Sequence, residues 1–175
     1  MPWNDVALAS IPRGPDRSTL EGTKLQTILV ATDGSQASED AIGFAVDLAA
    51  EHESELHVVH VVPTIDLAPA AFIGDPGVAF PHEPTQHDYS LLEDAAAIAR
   101  EQGVAATTAL LGGSTAAEIV AYAGSHDIDM IIVGSRGHGS ISSALLGSVS
   151  LAVLRASKVP VLVVHGKSPL HPALR

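Results

Sequence analysis

The chain contains no cysteine, which excludes disulfides, thiolate metal sites and cysteine nucleophiles together. Aromatic residues make up only 3% of the sequence, against 46% hydrophobic residues overall. A buried core must therefore be assembled from Val, Ile, Leu and Ala, which suits a parallel sheet covered by alanine-rich helices. Basic residues are scarce: nine Lys and Arg face twenty Asp and Glu, for a formal net charge of -11. Gripping a nucleic-acid backbone needs a basic stripe, and these few cations are scattered, so nucleic acid is excluded as a partner. The acidity itself reads as solubility or as adaptation to high salt. No apolar run approaches the roughly 20 residues that span a bilayer, which excludes membrane insertion. No basic segment followed by an apolar stretch opens the N-terminus, so a secretory signal is not expected. These absences predict a cytoplasmic protein, and a length of 175 residues predicts one folded domain.

What is present alternates between two periods. Residues 1–24 hold three prolines, two glycines and no periodic pattern, and read as a flexible leader; 25–166 read as the folded domain and 167–175 as a tail. A first strand begins at Ile28, after which Ser38 is expected to cap a helix carrying Ile42, Ala45, Val46 and Ala49 on one face. A Val-rich strand follows at Glu55–Val62. The connection from Thr64 to about Gln86 contains Pro69, Pro76, Pro81 and Pro84, and loops of this length are commonly lids or docking surfaces. Leu91, Ala95, Ile98 and Gln102 mark a second helix stopped by Gly103, followed by a strand at Val104–Leu111. Thr115 and Glu118 have the spacing of a capping box ahead of Ile119, Val120 and Ala123. Strands at Met130–Val133 and Val159–Val164 flank a last helix. This alternation predicts an α/β fold, a single doubly wound five-stranded parallel sheet with helices on both faces. Its ligand crevice should lie at the carboxyl ends of the strands.

The strongest chemical signal follows the strand at Met130–Val133. It reads Gly134-Ser135-Arg136-Gly137-His138-Gly139, then runs on to Gly147-Ser148, with the spacing Gly-x2-Gly-x9-Gly-Ser. Glycines at a strand end let backbone approach a ligand without an intervening Cβ. Ser148 is expected to N-cap a helix over Val149–Ala156, opening further amide donors beside them. Two such clusters form a receptor for phosphate oxygens. Neither Gly-x-Gly-x-x-Gly nor a Walker loop with its lysine is present.

This spacing resembles the ATP-binding motif of the universal stress protein family, matching at Gly134, Gly137, Gly147 and Ser148. Ile28-Leu29-Val30-Ala31-Thr32-Asp33-Gly34-Ser35 is similar to the family's first strand and acidic turn, and Val159–Val164 to its last strand. The resemblance runs from about Gln26 to Gly166. It implies a stress-response protein that binds ATP, with Mg²⁺ or Mn²⁺ carried by the phosphates, and regulates a protein partner. It also implies a homodimer through the edge strand Val159–Val164.

The nucleotide-binding residues expected on these grounds are Ala31, Thr32, Asp33, Val61, Gly134, Arg136, Gly137, His138, Gly147, Ser148 and Val149. Asp33 either meets the nucleoside, as the resemblance implies, or closes an Asx turn at Asp33-Gly34, and one carboxylate can do both. Arg136 and His138 either touch phosphate or face water. Val61 offers backbone and an apolar wall to adenine, and a one-residue slip would hand that role to Val62. His57 and His60, three apart on a strand, point to opposite sides of the sheet and cannot chelate one ion together. Ser140, Ser142, Ser143 and Ser148 have no evident base and orienting acid around them, so no catalytic residue is assigned. A slow ATPase or nucleotide transferase, or a sensor of cyclic AMP or AMP, stays open on the same fold.

Overall fold

A computed structural model describes residues 25–63, 65–66, 79–80, 83–136 and 146–165. The leader expected over 1–24, the tail 167–175 and most of the Pro-rich connection lie outside the described residues, as do Gly137 and His138.

Five strands form one all-parallel sheet: β1 (Thr27–Thr32), β2 (Glu55–Pro63), β5 (Ala106–Gly113), β6 (Met130–Gly134) and β7 (Val161–Val164). Their order is β5-β2-β1-β6-β7. Two short strands within the connection, β3 (Ile65–Asp66) and β4 (Ala79–Phe80), pair antiparallel outside this sheet. Helices α1 (Gln36–His52), α2 (Gln86–Glu101), α3 (Thr115–Ser125) and α4 (Ser148–Ala156) fill the crossovers.

The period-2 alternation of the strands divides the core. Ile28 and Val30 of β1 join Val58 and Ile132 beneath α1 and α2. Leu29, Val59, Ile131 and Val133 look the other way, onto Ile119 of α3 and Val153 of α4. The two central strands therefore read as unbroken Val/Ile/Leu runs, since both their faces are covered. This is the doubly wound sheet that the sequence predicts.

Three helix starts differ from expectation. Ser35, not Ser38, caps α1: its backbone is extended and its side chain accepts from Ser38 N at 3.3 Å. Gly34, at φ 75°, makes the turn that sets Ser35 in place, a conformation that glycine adopts without strain. Ser38 lies inside the first turn and donates its hydroxyl to Ser35 O at 2.8 Å. At α3 the cap is Ser114 with no side-chain capping bond, so the Thr115/Glu118 box does not form. At α4 the cap is Gly147 and Ser148 is already helical. β7 begins at Val161 because Val159 is held outside the ladder by Ser157, whose Oγ donates to Val159 O at 2.7 Å and accepts from Val159 N at 3.1 Å.

His57 and His60 do face opposite sides. His57 is buried under α3, with Nδ1 3.0 Å from the Tyr122 hydroxyl and Nε2 3.4 Å from Glu55 Oε1. A carboxylate can only accept, so Nε2 carries the proton and Nδ1 accepts from Tyr122. Burial pushes this imidazole below its ordinary value, against an opposing pull from Glu55 and with a smaller push from His126. Above the unfolded value near 6.5 both states are neutral there; below it the unfolded chain takes up more protons, so stability falls as pH falls. Chemical denaturation between pH 7.5 and 5.5 should show this loss, with a shallower slope in His57→Gln. An identical slope in that variant would remove His57 as a cause.

Candidate functional site

Because β1 leads outward to β2 and β5, and the chain then returns to β6 beside β1, the strand order reverses between β1 and β6. An open doubly wound sheet has its crevice at the carboxyl ends of such strands. A cleft of about 470 Å³ opens there, within the range of roughly 300–1,000 Å³ usual for small-molecule sites.

Of the expected residues, Ala31, Thr32, Asp33, Gly134, Arg136, Gly147, Ser148 and Val149 line this cleft together. Val61 does not belong to its wall; it is buried in the core on the α3 side. Ser38, Thr115, Ile119, Val133, Leu146 and Ser150 also line it. Thr115 and Ile119 carry sequence signals, as a cap candidate and as part of an apolar helix face, but nothing in their spacing ties them to the glycine loop.

Each wall has a local cause. Asp33 Oδ1 accepts from Ser35 N at 3.0 Å, forming the Asx turn, and Gly34 N donates to Thr32 Oγ1 at 3.3 Å. Ser35 Oγ then donates to Arg136 O at 3.2 Å, tying the turn after β1 to the loop after β6. On the other side Gly147 N donates to Ser135 O at 2.7 Å, and Ser150 Oγ donates to Gly134 O at the same distance. These bonds seat the start of α4 against the end of β6. No side chain caps α4, and the first-turn amides of a helix have no partners within it. The positive end of the α4 dipole therefore opens on the cleft through Gly147–Ser150.

Gly134 is fixed by packing. A Cβ there would stand 2.7 Å from Ala37 C, 2.8 Å from Ala37 O and 2.9 Å from Ser38 N. The end of β6 thus touches the α1 backbone directly, and only a residue without a side chain allows it.

The arrangement can hold an anion at the α4 start and offer Asp33 and apolar Ala31, Val133 and Ile119 to a less polar group. The hydroxyls of Ser35, Ser38 and Ser150 are committed to main-chain carbonyls. Among the described residues no group of three or more His, Asp or Glu comes together to hold a metal ion. No helix among them is long and apolar enough to cross a membrane.

Residues 24–165 match the Universal stress protein family. The universal stress protein YxiE of Bacillus subtilis (strain 168) is 36% identical over 144 residues, covering 79% of this chain and 97% of that protein. One from Methanocaldococcus jannaschii is 33% identical over 141 residues, covering 78% of this chain and 80% of its own. A universal stress protein solved in complex with cAMP superposes with a TM-score of 0.63 at 28% identity, over 82% of this chain and 99% of that one. With the family match spanning the whole of the described fold, this chain belongs to the universal stress protein family.

Proposed function

We propose that the switch-point cleft binds an adenine nucleotide, ATP first among them, and that occupancy regulates a protein partner in the cytoplasm. The observation that carries this reading is the uncapped start of α4, opening beside the glycine-terminated end of β6 and opposite Asp33. Phosphates lie against the amides of 147–149, aided by Arg136 and by Gly137 and His138 of the motif; the nucleoside lies towards Ala31, Thr32 and Asp33. Mg²⁺ or Mn²⁺ arrives on the phosphates. A second reading, cyclic AMP as ligand, is favoured by the cAMP complex of the relative that is 28% identical.

Binding without turnover is the expected chemistry. Phosphoryl transfer needs a positioned water and charge stabilisation stronger in the transition state than in the ground state. The hydroxyls of Ser35, Ser38 and Ser150 are held as donors to main-chain carbonyls. ATP incubated with the protein should be recovered intact by mass spectrometry, with turnover far below the median enzyme's, about 10 per second. Steady turnover of about 1 per second, abolished by one loop substitution that spares binding, would favour the enzyme.

We also propose a symmetric homodimer. β7 is an edge strand, its four residues are Val161, Leu162, Val163 and Val164, and an apolar edge invites pairing. Light scattering should give a dimer at micromolar concentration, weakened by Val163→Pro, which removes a donor on the open side of β7, since the β6 bonds are carried by Pro160, Leu162 and Val164. A monomer, or a dimer untouched by that proline, contradicts the pairing.

A further inference from the structure

His60 sits on β2, buried to 7% exposure on the α1/α2 side of the sheet. Both its ring nitrogens meet oxygen. Nδ1 is 2.8 Å from the main-chain carbonyl of Thr32, a residue of the cleft wall. Nε2 is 2.8 Å from Asp88 Oδ1, in the first turn of α2.

Asp88 is ionised. The Thr85 hydroxyl and the Thr85 amide each donate to its Oδ2 at 2.7 Å, and these two bonds, ahead of His60, hold its carboxyl well below the usual carboxylate range. A carbonyl and a carboxylate can only accept, so each ring nitrogen must donate and the ring carries two protons. Charge-assisted bonds of this kind are short and strong. β5, in register at Leu110, has no ionisable side chain between Ala106 and Gly113. The buried residues of α1 are uncharged.

We propose that His60 is a positioning residue of the cleft: an imidazolium that joins the Thr32 carbonyl to Asp88, so that the end of β1 and the start of α2 are held or released together. Asp88 also closes the capping box with Thr85, so the bridge reaches the point where the Pro-rich connection re-enters the fold. Resting on the nucleotide reading above, the same bridge passes occupancy at the β1 end to the start of α2.

The test uses the full chain. Nitrogen-15 spectra at pH 7.5 should show both His60 ring nitrogens protonated; one bare nitrogen overturns the proposal. Removing both bonds with His60→Leu should speed amide exchange at Asp33–Gly34 and at Asp88–Tyr89 alike, by roughly tenfold or more, the ratio implied by losing a charge-assisted hydrogen bond. Loosening at one end alone overturns the link. Should that variant fail to fold, Asp88→Asn keeps an acceptor for Thr85 and removes the carboxylate facing His60 Nε2; an unchanged ring spectrum overturns the bridge. With ATP as probe, protection should appear at both ends in the native chain and only at β1 in His60→Leu. Protection confined to β1 in the native chain refutes the coupling. No protection anywhere refutes the nucleotide reading, and the bridge is then decided by the ring spectrum.

Discussion

Gly134→Ala should destabilise the folded chain by about 3 kcal/mol, at the upper end of the usual cost of overpacking. The new Cβ would meet three backbone atoms of Ala37 and Ser38 at 2.7 to 2.9 Å. Backbone in the first turn of α1 cannot swing aside as a side-chain tip can. That turn is itself pinned by Ser35, which caps α1 and bonds Arg136 O. For a domain of this size the melting temperature should drop by roughly 6–12 °C. An unchanged melting temperature would mean that β6 and α1 do not approach so closely. Because the contact lies outside any ligand, the loss should be present without nucleotide.

Gly147→Asp should have the opposite profile. Gly147 takes φ -62° and ψ 157°, ordinary for an N-cap, and a Cβ there finds nothing nearer than Ser135 O at 3.4 Å. Aspartate is a preferred N-cap, better than glycine by a few tenths of a kcal/mol, and it restrains the unfolded chain as well. The unliganded variant should therefore be as stable as the native protein or slightly more so. Its carboxylate, however, occupies the α4 amides and places negative charge where phosphate would lie. Native protein with ATP at 100 times its dissociation constant gains about 2.7 kcal/mol; the variant should gain almost nothing. Thermal denaturation of both, with and without ATP, checks this. A variant that keeps the full gain would show that phosphates bind away from α4.

The strands were legible because buried parallel strands must be continuous Val, Ile and Leu, as at Ile131-Ile132-Val133. The cleft was legible because Gly134 and Gly147 mark the two chain segments that meet there. Helix starts were less so, since serines and threonines cluster ahead of them and several qualify as caps. Ser35 prevails over Ser38 because Gly34 turns at φ 75°. Gly147 prevails over Ser148 because its amide is drawn to Ser135 O. Neither preference is visible in composition. The Thr85/Asp88 box on α2 had a sequence signal in its three-residue spacing, hidden among prolines and ahead of any apolar periodicity. The partners of His60 lie 28 residues to either side, and only the folded sheet brings them to one ring.

Amide-resolved NMR of the full chain titrated with ATP tests the central claim most directly. The account predicts saturable shifts gathered at Thr32–Gly34, Gly134–Arg136 and Gly147–Ser150, the three segments that meet at the β1/β6 switch point. Shifts centred elsewhere on the surface, or none up to millimolar ATP and cyclic AMP, would contradict it.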